Sequence, residues 1–301
     1  MNAYNGIINI NKSQNITSQA AVTSVKKILG VGKAGHSGTL DPLATGVLPV
    51  MVGSAVKASE WLTGHDKRYL AGIELGIETD SEDITGTVTA RYDGPLPSFE
   101  ELKQAASAFV GKIKQVPPMY SAIKKDGQKL VDLARRGIVL EREAREIEIY
   151  SIEAINDNGR YFLDVACSKG TYIRTLCADI GRKLGCGAVM RSLCRTAVGG
   201  FHIGNSVTLD ELEKMPPEEI SKILIPVETL FSDLKAIRLS AFFERLFRNG
   251  APIAAHKLGL SEAAGIKEHT LFRIYGKDGF FALGESLIFD GVTVIKVKKF
   301  F

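Results

Sequence analysis

One carboxylate, Asp41, lies in a run (Gly35–Pro49) whose residue types are unusual for regular secondary structure. Gly38 and Gly46 permit backbone angles that other residues avoid, and Pro42 disfavours helical geometry at Asp41. This composition predicts an irregular loop rather than a regular helix or a central strand. The run is either an ordinary turn or a rigid loop that presents one ionised carboxylate, a group able to attack a substrate without a general base.

Other short motifs accompany this run in a fixed order. Together they resemble the motifs of the TruB family of pseudouridine synthases, in which an aspartate attacks a uridine of RNA. The opening run Gly6–Lys12 is also similar, although Ser13 and Asn15 stand where the family has proline and glycine. The motifs are Gly35–Pro49; Lys67-Arg68-Tyr69 with Leu75-Gly76 and Thr79–Gly86; Gln115–Lys124 with Gly127 and Ala134–Gly137; and Cys167–Arg174.

The resemblance implies a catalytic role for three of these residues. Asp41 would be the reactive carboxylate, and Arg174 would pair with it and keep it ionised and oriented. Tyr69 would stack on the uracil ring and assist proton movement at C5. His36 would sit beside the flipped-out nucleotide. The carboxylate could attack C6 of the base, attack the anomeric carbon, or abstract a proton in a glycal route, and the sequence does not choose among these.

The resemblance also implies a substrate and its contacts. We expect the T stem-loop of tRNA as partner, with the uridine at position 55 extruded into the site. Isomerisation changes neither redox state nor composition, so no cofactor is expected, and neither is a guide RNA. We expect a cytoplasmic monomer that does not bind membranes. Some of the expected RNA contacts are basic side chains that would bind phosphate. The full set is Lys12, His36, Lys67, Arg68, Lys124, Lys125, Arg135, Arg136 and Tyr172.

The sequence also contains short patterns that are typical of other functions. Gly30–Gly35 satisfies the G-x-G-x-x-G pattern but follows a predicted helix instead of a strand, which disfavours dinucleotide binding. His36-Ser37 lacks the G-x-S-x-G context of a hydrolase. The five histidines and four cysteines show no metal-ligand spacing, so no metal site is expected. A synthase for ribosomal or mitochondrial RNA, and a non-catalytic RNA-binding or RNA-folding protein, remain as alternatives.

Composition limits these hypotheses only broadly. The 301 residues are 45% hydrophobic with a net charge of +4 and a pI near 8.7. This length predicts a large domain and a small one, which we place at residues 1–235 and 236–301. The charge is only mildly basic, so RNA binding would depend on a local patch. No leader or apolar run of membrane-spanning length is visible.

The local patterns indicate the elements that hold these residues. Thr17 or Ser18 can cap a helix that Gly30 ends, directly before the Asp41 loop. Alternation around Tyr69 predicts a strand, and Ser98 with Glu101 forms a capping box. Strands at 147–155 and 161–167 flank an Asn158-Gly159 turn, and a helix starting after Gly170-Thr171 carries Arg174. The resemblance implies an α+β fold with a mixed, largely antiparallel sheet, followed by a β-rich, PUA-like module.

Overall fold

A computed structural model describes residues 4–121, 123–125, 127–260 and 266–301, apart from the side chains of Lys124, Lys125 and Lys129. The strands are β1 (Gly6–Lys12), β2 (Ala34–His36), β3 (Thr45–Val52), β4 (Lys67–Leu75), β5 (Ile77–Thr79), β6 (Val88–Arg91), β7 (Gly111–Gln115), β8 (Lys124–Lys125), β9 (Gln128–Lys129), β10 (Arg145–Asp157), β11 (Arg160–Cys167), β12 (Ala188–Val198), β13 (Phe201–His202), β14 (Ala236–Arg238), β15 (Ile253–Ala254), β16 (Leu271–Gly276), β17 (Gly279–Phe289) and β18 (Val292–Phe300).

The helices are α1 (Ser18–Leu29), α2 (Ser59–Thr63), α3 (Phe99–Ser107), α4 (Leu130–Ala134), α5 (Ile173–Leu184), α6 (Leu209–Lys214), α7 (Pro217–Ile223) and α8 (Ala241–Arg248). Short 3-10 turns cover Gly53–Ala58, Ile203–Asn205, Val227–Phe231 and Ala255–Leu258. Within the described ranges, every helix is too short or too polar to cross a bilayer.

The larger sheet has the order β1-β3-β12-β4-β11-β10-β7, with β2 paired to β3 and β13 paired to β12. The β3 and β12 strands run parallel, and the other pairings described in this sheet are antiparallel. Helices α1, α3 and α5 contribute to one hydrophobic core with this sheet. The predicted mixed, largely antiparallel sheet of an α+β fold is therefore confirmed.

The prediction that the whole Gly35–Pro49 run avoids a central strand is wrong at its end. Thr45–Pro49 belongs to β3, which lies between β1 and β12. Leu48 packs into the core beneath α1 and Met51 packs into a second core on the opposite face, and strands buried on both faces lose polar alternation. Pro49 is tolerated because, on this side of β3, it lies between two pairings. The pairing with β12 is described up to Gly46, and the pairing with β2 begins at Val50.

Most local elements follow their sequence signals. Thr17 caps α1 by accepting a hydrogen bond from Ala20 N–H at 3.0 Å, and Gly30 ends it in the left-handed conformation at φ 63°. The Ser98 and Glu101 capping box at α3 is complete. The β10 and β11 strands form the predicted hairpin through Asn158 and Gly159. These predictions are confirmed.

The C-terminal residues form a separate sheet with the order β14-β16-β17-β18-β15. It has its own core, which includes Phe247, Phe272 and Ile274. Turns at Asp278-Gly279 and Asp290-Gly291, both sequences typical of hairpin turns, join β16 to β17 and β17 to β18. The predicted β-rich C-terminal module is confirmed, whereas the boundary between residues 235 and 236 stays a prediction.

Candidate active site

The Asp41 loop joins β2 to β3, and hydrogen bonds from several elements hold it in place. The Ser18 hydroxyl, 1% exposed, accepts from Leu40 N–H at 2.8 Å and donates to Leu40 C=O at 3.0 Å. The Pro42 C=O accepts from Asn15 N–H at 2.8 Å. The side chain of Asp41 itself is 39% exposed. The loop therefore presents its carboxylate to solvent from a fixed backbone.

Arg174 meets this carboxylate as the resemblance implied. It is the second residue of α5, its side chain is 8% exposed, and its Nη2 forms an ion pair with Asp41 Oδ2. Its Nη1 lies 3.7 Å from Oδ2 of Asp83, which unlike Asp41 is a buried carboxylate. A buried guanidinium between two carboxylates has little freedom to rotate, because a rotation would weaken its contacts with both of them.

Asp83 is held by its own loop. Its Oδ1 accepts hydrogen bonds from the Ser81 hydroxyl and from Thr85 N–H, each at 3.0 Å, so that Oδ2 is left to face Arg174. The preceding residue, Glu82, accepts a hydrogen bond from the hydroxyl of Thr175, the neighbour of Arg174. Consecutive residues of this loop thus bind consecutive residues of α5.

Arg195 holds the other side of the Asp41 loop. Only 1% of this residue is exposed, and it donates to Val47 C=O at 2.8 Å through Nε and to Gly38 C=O at 3.1 Å through Nη2. Burial raises the pKa of the Tyr69 phenol, and the adjacent Arg195 guanidinium opposes that increase. The Tyr69 phenol is therefore protonated at neutral pH and suited to donating a hydrogen bond or a proton.

Two polar groups at the start of the segment that leads to Asp41 are buried without protein partners. Among the described residues, Nδ1 of His36 and Oγ of Ser37 have no hydrogen-bond partner. Burial, with a smaller contribution from Arg195, lowers the pKa of His36, so its imidazole is neutral at pH 7. Buried polar groups without partners are costly, and a bound ligand or ordered water would satisfy them.

The predicted RNA contacts fall into different environments. Lys67 lies on the same face of β4 as Tyr69, and burial lowers its pKa to about 8. Tyr172 precedes α5, and its peptide is hydrogen-bonded to Gln115. Arg136 is exposed and donates to Gln128 Oε1 at 2.5 Å, and neighbouring Arg135 is also exposed. The side chains of Lys124 and Lys125 lie outside the described residues.

Two of the predicted contacts have side chains that are already bound within the protein, although Lys12 lies near enough to Asp41 for this carboxylate to oppose the fall in its pKa. Lys12 is fully buried and donates to Ser13 C=O at 2.9 Å and Ile16 C=O at 2.8 Å, and burial lowers its pKa to about 8. This placement favours a structural role over RNA contact, because no part of Lys12 is accessible. Arg68 alternates to the opposite face of β4 from Tyr69 and binds Asp164, with Nε 2.7 Å from Oδ1.

Asp83 and Arg195 had no role predicted from the sequence. Arg195 gave a usable signal, because strand alternation places it with Leu193 and Ala197 on a buried face where an arginine is rare. Asp83 lay within a quoted motif but gave no separate signal. Over the described part of the chain, no group of three or more His, Cys, Asp or Glu residues is arranged to hold a metal ion.

Comparison with known proteins identifies the family. A model described as the N-terminal domain of TruB family pseudouridylate synthase matches residues 26–173, and one described as the C-terminal domain of tRNA pseudouridylate synthase B matches residues 174–232. The chain belongs to the TruB family. The two family models meet inside α5, just before Arg174.

Curated TruB relatives match this chain along nearly its whole length. A protein of Clostridium tetani (strain Massachusetts / E88), named tRNA pseudouridine synthase B, is 42% identical over 294 residues, covering 97% of this chain and 99% of the relative. A protein of the same name from Aromatoleum aromaticum (strain DSM 19018 / LMG 30748 / EbN1) is 43% identical over 295 residues, covering 98% and 92%.

Solved structures resemble the TruB fold described here over almost every residue. One is a Cbf5-Nop10-Gar1 complex, with a TM-score of 0.72 and 29% identity over 98% of this chain and 84% of the solved chain. Another is an H/ACA RNP bound to a substrate RNA containing 2'-deoxyuridine, with a TM-score of 0.70 and 27% identity at the same coverage.

Proposed function

We propose that this TruB family protein isomerises the uridine at position 55 in the T loop of tRNA to pseudouridine, with Asp41 as the reactive carboxylate. One observation carries this proposal: the Asp41 carboxylate is accessible to a substrate while it is paired with a guanidinium that is itself buried. The relatives named tRNA pseudouridine synthase B, which this chain matches along nearly their full length, support tRNA as the substrate.

The reaction requires one bond to break and another to form at the same sugar carbon. The C1'–N1 bond of uridine breaks, the base turns, a C1'–C5 bond forms, and the C5 proton is lost while N1 gains a proton. Asp41 can begin this sequence by attack at C6, by attack at C1', or by abstraction of a sugar proton. In each route Arg174 keeps the carboxylate oriented. Because the loop already holds the carboxylate in place, little reorganisation is needed during the reaction.

Tyr69 and His36 complete the proposed pocket. Tyr69 is 7% exposed on the core face of β4, so its ring offers an apolar surface to a flipped uracil. Its protonated phenol can donate a proton to N1, and the resulting phenolate can then accept the C5 proton. The unpartnered Nδ1 of His36 and Oγ of Ser37 are available to polar groups of the everted nucleotide.

The remaining contacts are proposed to position the RNA. Lys67, Tyr172, Arg135 and Arg136 would meet phosphates and riboses around the T loop, which sets affinity and register without reading sequence. We propose residues 1–235 as the catalytic domain and residues 236–301 as a PUA-like RNA-binding module. We propose that the protein acts on tRNA as a cytoplasmic monomer without guide RNA, and the relatives whose name gives tRNA as substrate support the first of these points.

The decisive experiment incubates purified protein with unmodified tRNA transcript, without any added cofactor, and maps pseudouridine by position. The parent should modify uridine 55, and Asp41→Asn should form no product while tRNA affinity stays within about threefold, because the amide is not nucleophilic. Asp93→Asn, an exposed aspartate, is the matched control and should retain full activity.

Substrate variants separate the remaining possibilities. Product on a ribosomal RNA fragment but not on tRNA would favour a synthase for another RNA. Tight tRNA binding without product by the parent would favour an RNA-folding protein. Turnover by Asp41→Asn would contradict the assigned role of the carboxylate.

A further inference from the structure

The side-chain amide of Gln115 bonds both polar groups of the residue that precedes the catalytic helix. Tyr172 N–H donates to Gln115 Oε1 at 2.8 Å, and Gln115 Nε2 donates to Tyr172 C=O at 3.0 Å. Gln115 is 2% exposed, so water does not compete for these bonds. Tyr172 is the N-cap of α5, and its own side chain makes no capping bond. We call this paired contact the Gln115 bridge.

Gln115 is itself fixed on both sides along the chain. It is the last residue of β7, where it pairs with Arg145 of β10. Pro117 and Pro118 follow almost directly, and they restrict the backbone on the other side. The bridge therefore joins the start of α5 to a rigid point at the edge of the larger sheet.

The position of the segment that carries Arg174 depends on the Gln115 bridge. Its near end is held to β10, because Ser168 N–H donates to Glu148 C=O at 2.8 Å and Glu148 N–H donates to Ser168 Oγ at 2.9 Å. Gly170 then turns the chain at φ 84°, and the side chain of Thr171 bonds back to Ser168 and Cys167 on the near side of the turn. The far end of this turn is anchored to the sheet at Tyr172.

A shift of the backbone at Tyr172 would also move Arg174 and so change where its guanidinium meets the Asp41 carboxylate. Arg174 lies two residues further along α5, which corresponds to a rise of about 3 Å. Its guanidinium is packed between Asp41 and Asp83 and cannot adjust independently. A misplacement of about 1 Å in such a site typically costs about 100-fold in rate.

We propose that Gln115 is a positioning residue: through the backbone of Tyr172 it sets where Arg174 meets Asp41. This inference rests on the proposed function. Only a neutral amide offers a donor and an acceptor at this reach, since an ionised glutamate lacks the donor and a methionine lacks both.

The test measures single-turnover pseudouridine formation at saturating protein. Gln115→Met preserves side-chain length and removes both hydrogen bonds. We expect the rate to fall by about 100-fold while the dissociation constant for tRNA changes by less than about threefold. Gln104→Leu, an exposed glutamine on α3, is the matched control and should react at the parent rate.

A double-mutant cycle separates positioning from general stabilisation. If Gln115 acts through Arg174, then Gln115→Met should reduce the rate by less than about threefold when Arg174 is already changed to Lys, because the geometry it protects is lost. A rate for Gln115→Met within about fivefold of the parent would overturn the proposal. The same fold reduction in the parent and in Arg174→Lys would also overturn it, because the effects of two independent substitutions on the rate multiply.

Two further measurements keep the outcomes distinct. If a thermal melt shows that Gln115→Met is unfolded, Gln115→Glu replaces it, because glutamate retains the acceptor for Tyr172 N–H. Its single-turnover rate is then compared with that of the parent and in the Arg174→Lys background, with the same limits. The parent is assayed alongside: a parent that forms no pseudouridine contradicts the proposed function, whereas an active parent with an equally active Gln115 variant contradicts only the positioning role.

Discussion

At the scale of single residues, the site depends on cations that are buried and therefore fixed. Arg174 contacts Asp41 and faces Asp83, while Arg195 holds the backbone of the Asp41 loop through Gly38 C=O. Arginine suits both positions because it stays charged when desolvated and presents several donors in one plane. The accessible carboxylate is thus held by partners that water does not reach.

Lys67 differs because its charge can be lost at moderately alkaline pH. Burial lowers its pKa to about 8, so the side chain is cationic at pH 7 and mostly neutral at pH 9. If Lys67 contacts phosphate, tRNA affinity should weaken several-fold between pH 7 and pH 9 at fixed salt, as one ionic contact is lost. Lys67→Arg should remove most of this dependence, because arginine remains charged throughout.

Filter binding of tRNA to the parent and Lys67→Arg across this pH range, at more than one salt concentration, measures the effect. Lys103→Arg, an exposed lysine on α3, serves as the control. An identical decline in affinity for the parent and Lys67→Arg would show that another group titrates.

The family resemblance predicted the pairing of Asp41 with Arg174 but not the surroundings of this pair. Asp41, Tyr69 and Arg174 could be named from motifs because their resemblance to a known family is local in sequence. The contacts of Arg195 with Gly38 and Val47 join positions about 150 residues apart, and no local pattern encodes such a contact. Gln115 lay in a quoted motif, yet its partner is a backbone peptide, which has no signature in sequence.

At the scale of elements, caps and turns were predictable because each depends on a few neighbouring residues. Asn15 shows that this logic extends to a departure from the family pattern. It adopts φ 67° where the family has glycine, and asparagine tolerates this left-handed conformation better than most residues. The chain therefore keeps its path into α1 despite the substitution.

The junction of β3 and β12 leaves no room for a side chain at Gly46. Gly46 has φ 99°, and a Cβ there would lie 2.3 Å from Arg195 O and 2.9 Å from Arg195 N. Gly46→Ala should lower the free energy of unfolding by about 3 kcal/mol or more, because backbone must move at a strained position. It should also reduce turnover, since Arg195 holds the Asp41 loop.

Urea unfolding of Gly46→Ala measures the loss. Gly204→Ala, where nothing lies within 4 Å of the added atom and φ is not positive, should change stability by less than about 0.5 kcal/mol. Equal stability of both variants would show that the junction accommodates a side chain.

At the scale of the whole molecule, an aromatic cluster joins the C-terminal module to the rest of the chain. The ring of Phe231 lies 5.4 Å from that of Trp61, 5.6 Å from that of Phe301 and 6.1 Å from that of Phe280. Lys57 Nζ also donates to Phe300 C=O at 3.0 Å. The last strand is therefore packed against the larger domain instead of extending freely from it.

Removal of the central ring should loosen this junction. Phe231 is 3% exposed, so Phe231→Ala should cost about 3 to 5 kcal/mol, from lost burial and the resulting cavity. Trp61 is the single tryptophan of the chain, and its fluorescence reports the junction directly. Phe242→Ala, at a residue 58% exposed, is the control and should leave the urea midpoint nearly unchanged. Unaltered fluorescence and unfolding for Phe231→Ala would contradict the role assigned to this cluster.

The arrangement of strands in the larger sheet was beyond sequence reasoning. Alternation shows that a segment such as β4 is a strand with one buried face, but it does not name the neighbours of that strand. The parallel pairing of Thr45 with Cys194 depends on the packing of the complete chain. Sheet class could be inferred from the family resemblance, whereas strand order required the structure.

This parallel pairing also bears on how the enzyme is made. Synthesis from the amino end delivers Asp41 long before Arg195 leaves the ribosome, and contacts between distant segments are slow to form. The acidic loop cannot acquire its final support while β12 is still untranslated. Chains interrupted before that strand would carry the Asp41 loop without the two backbone contacts by which Arg195 holds it.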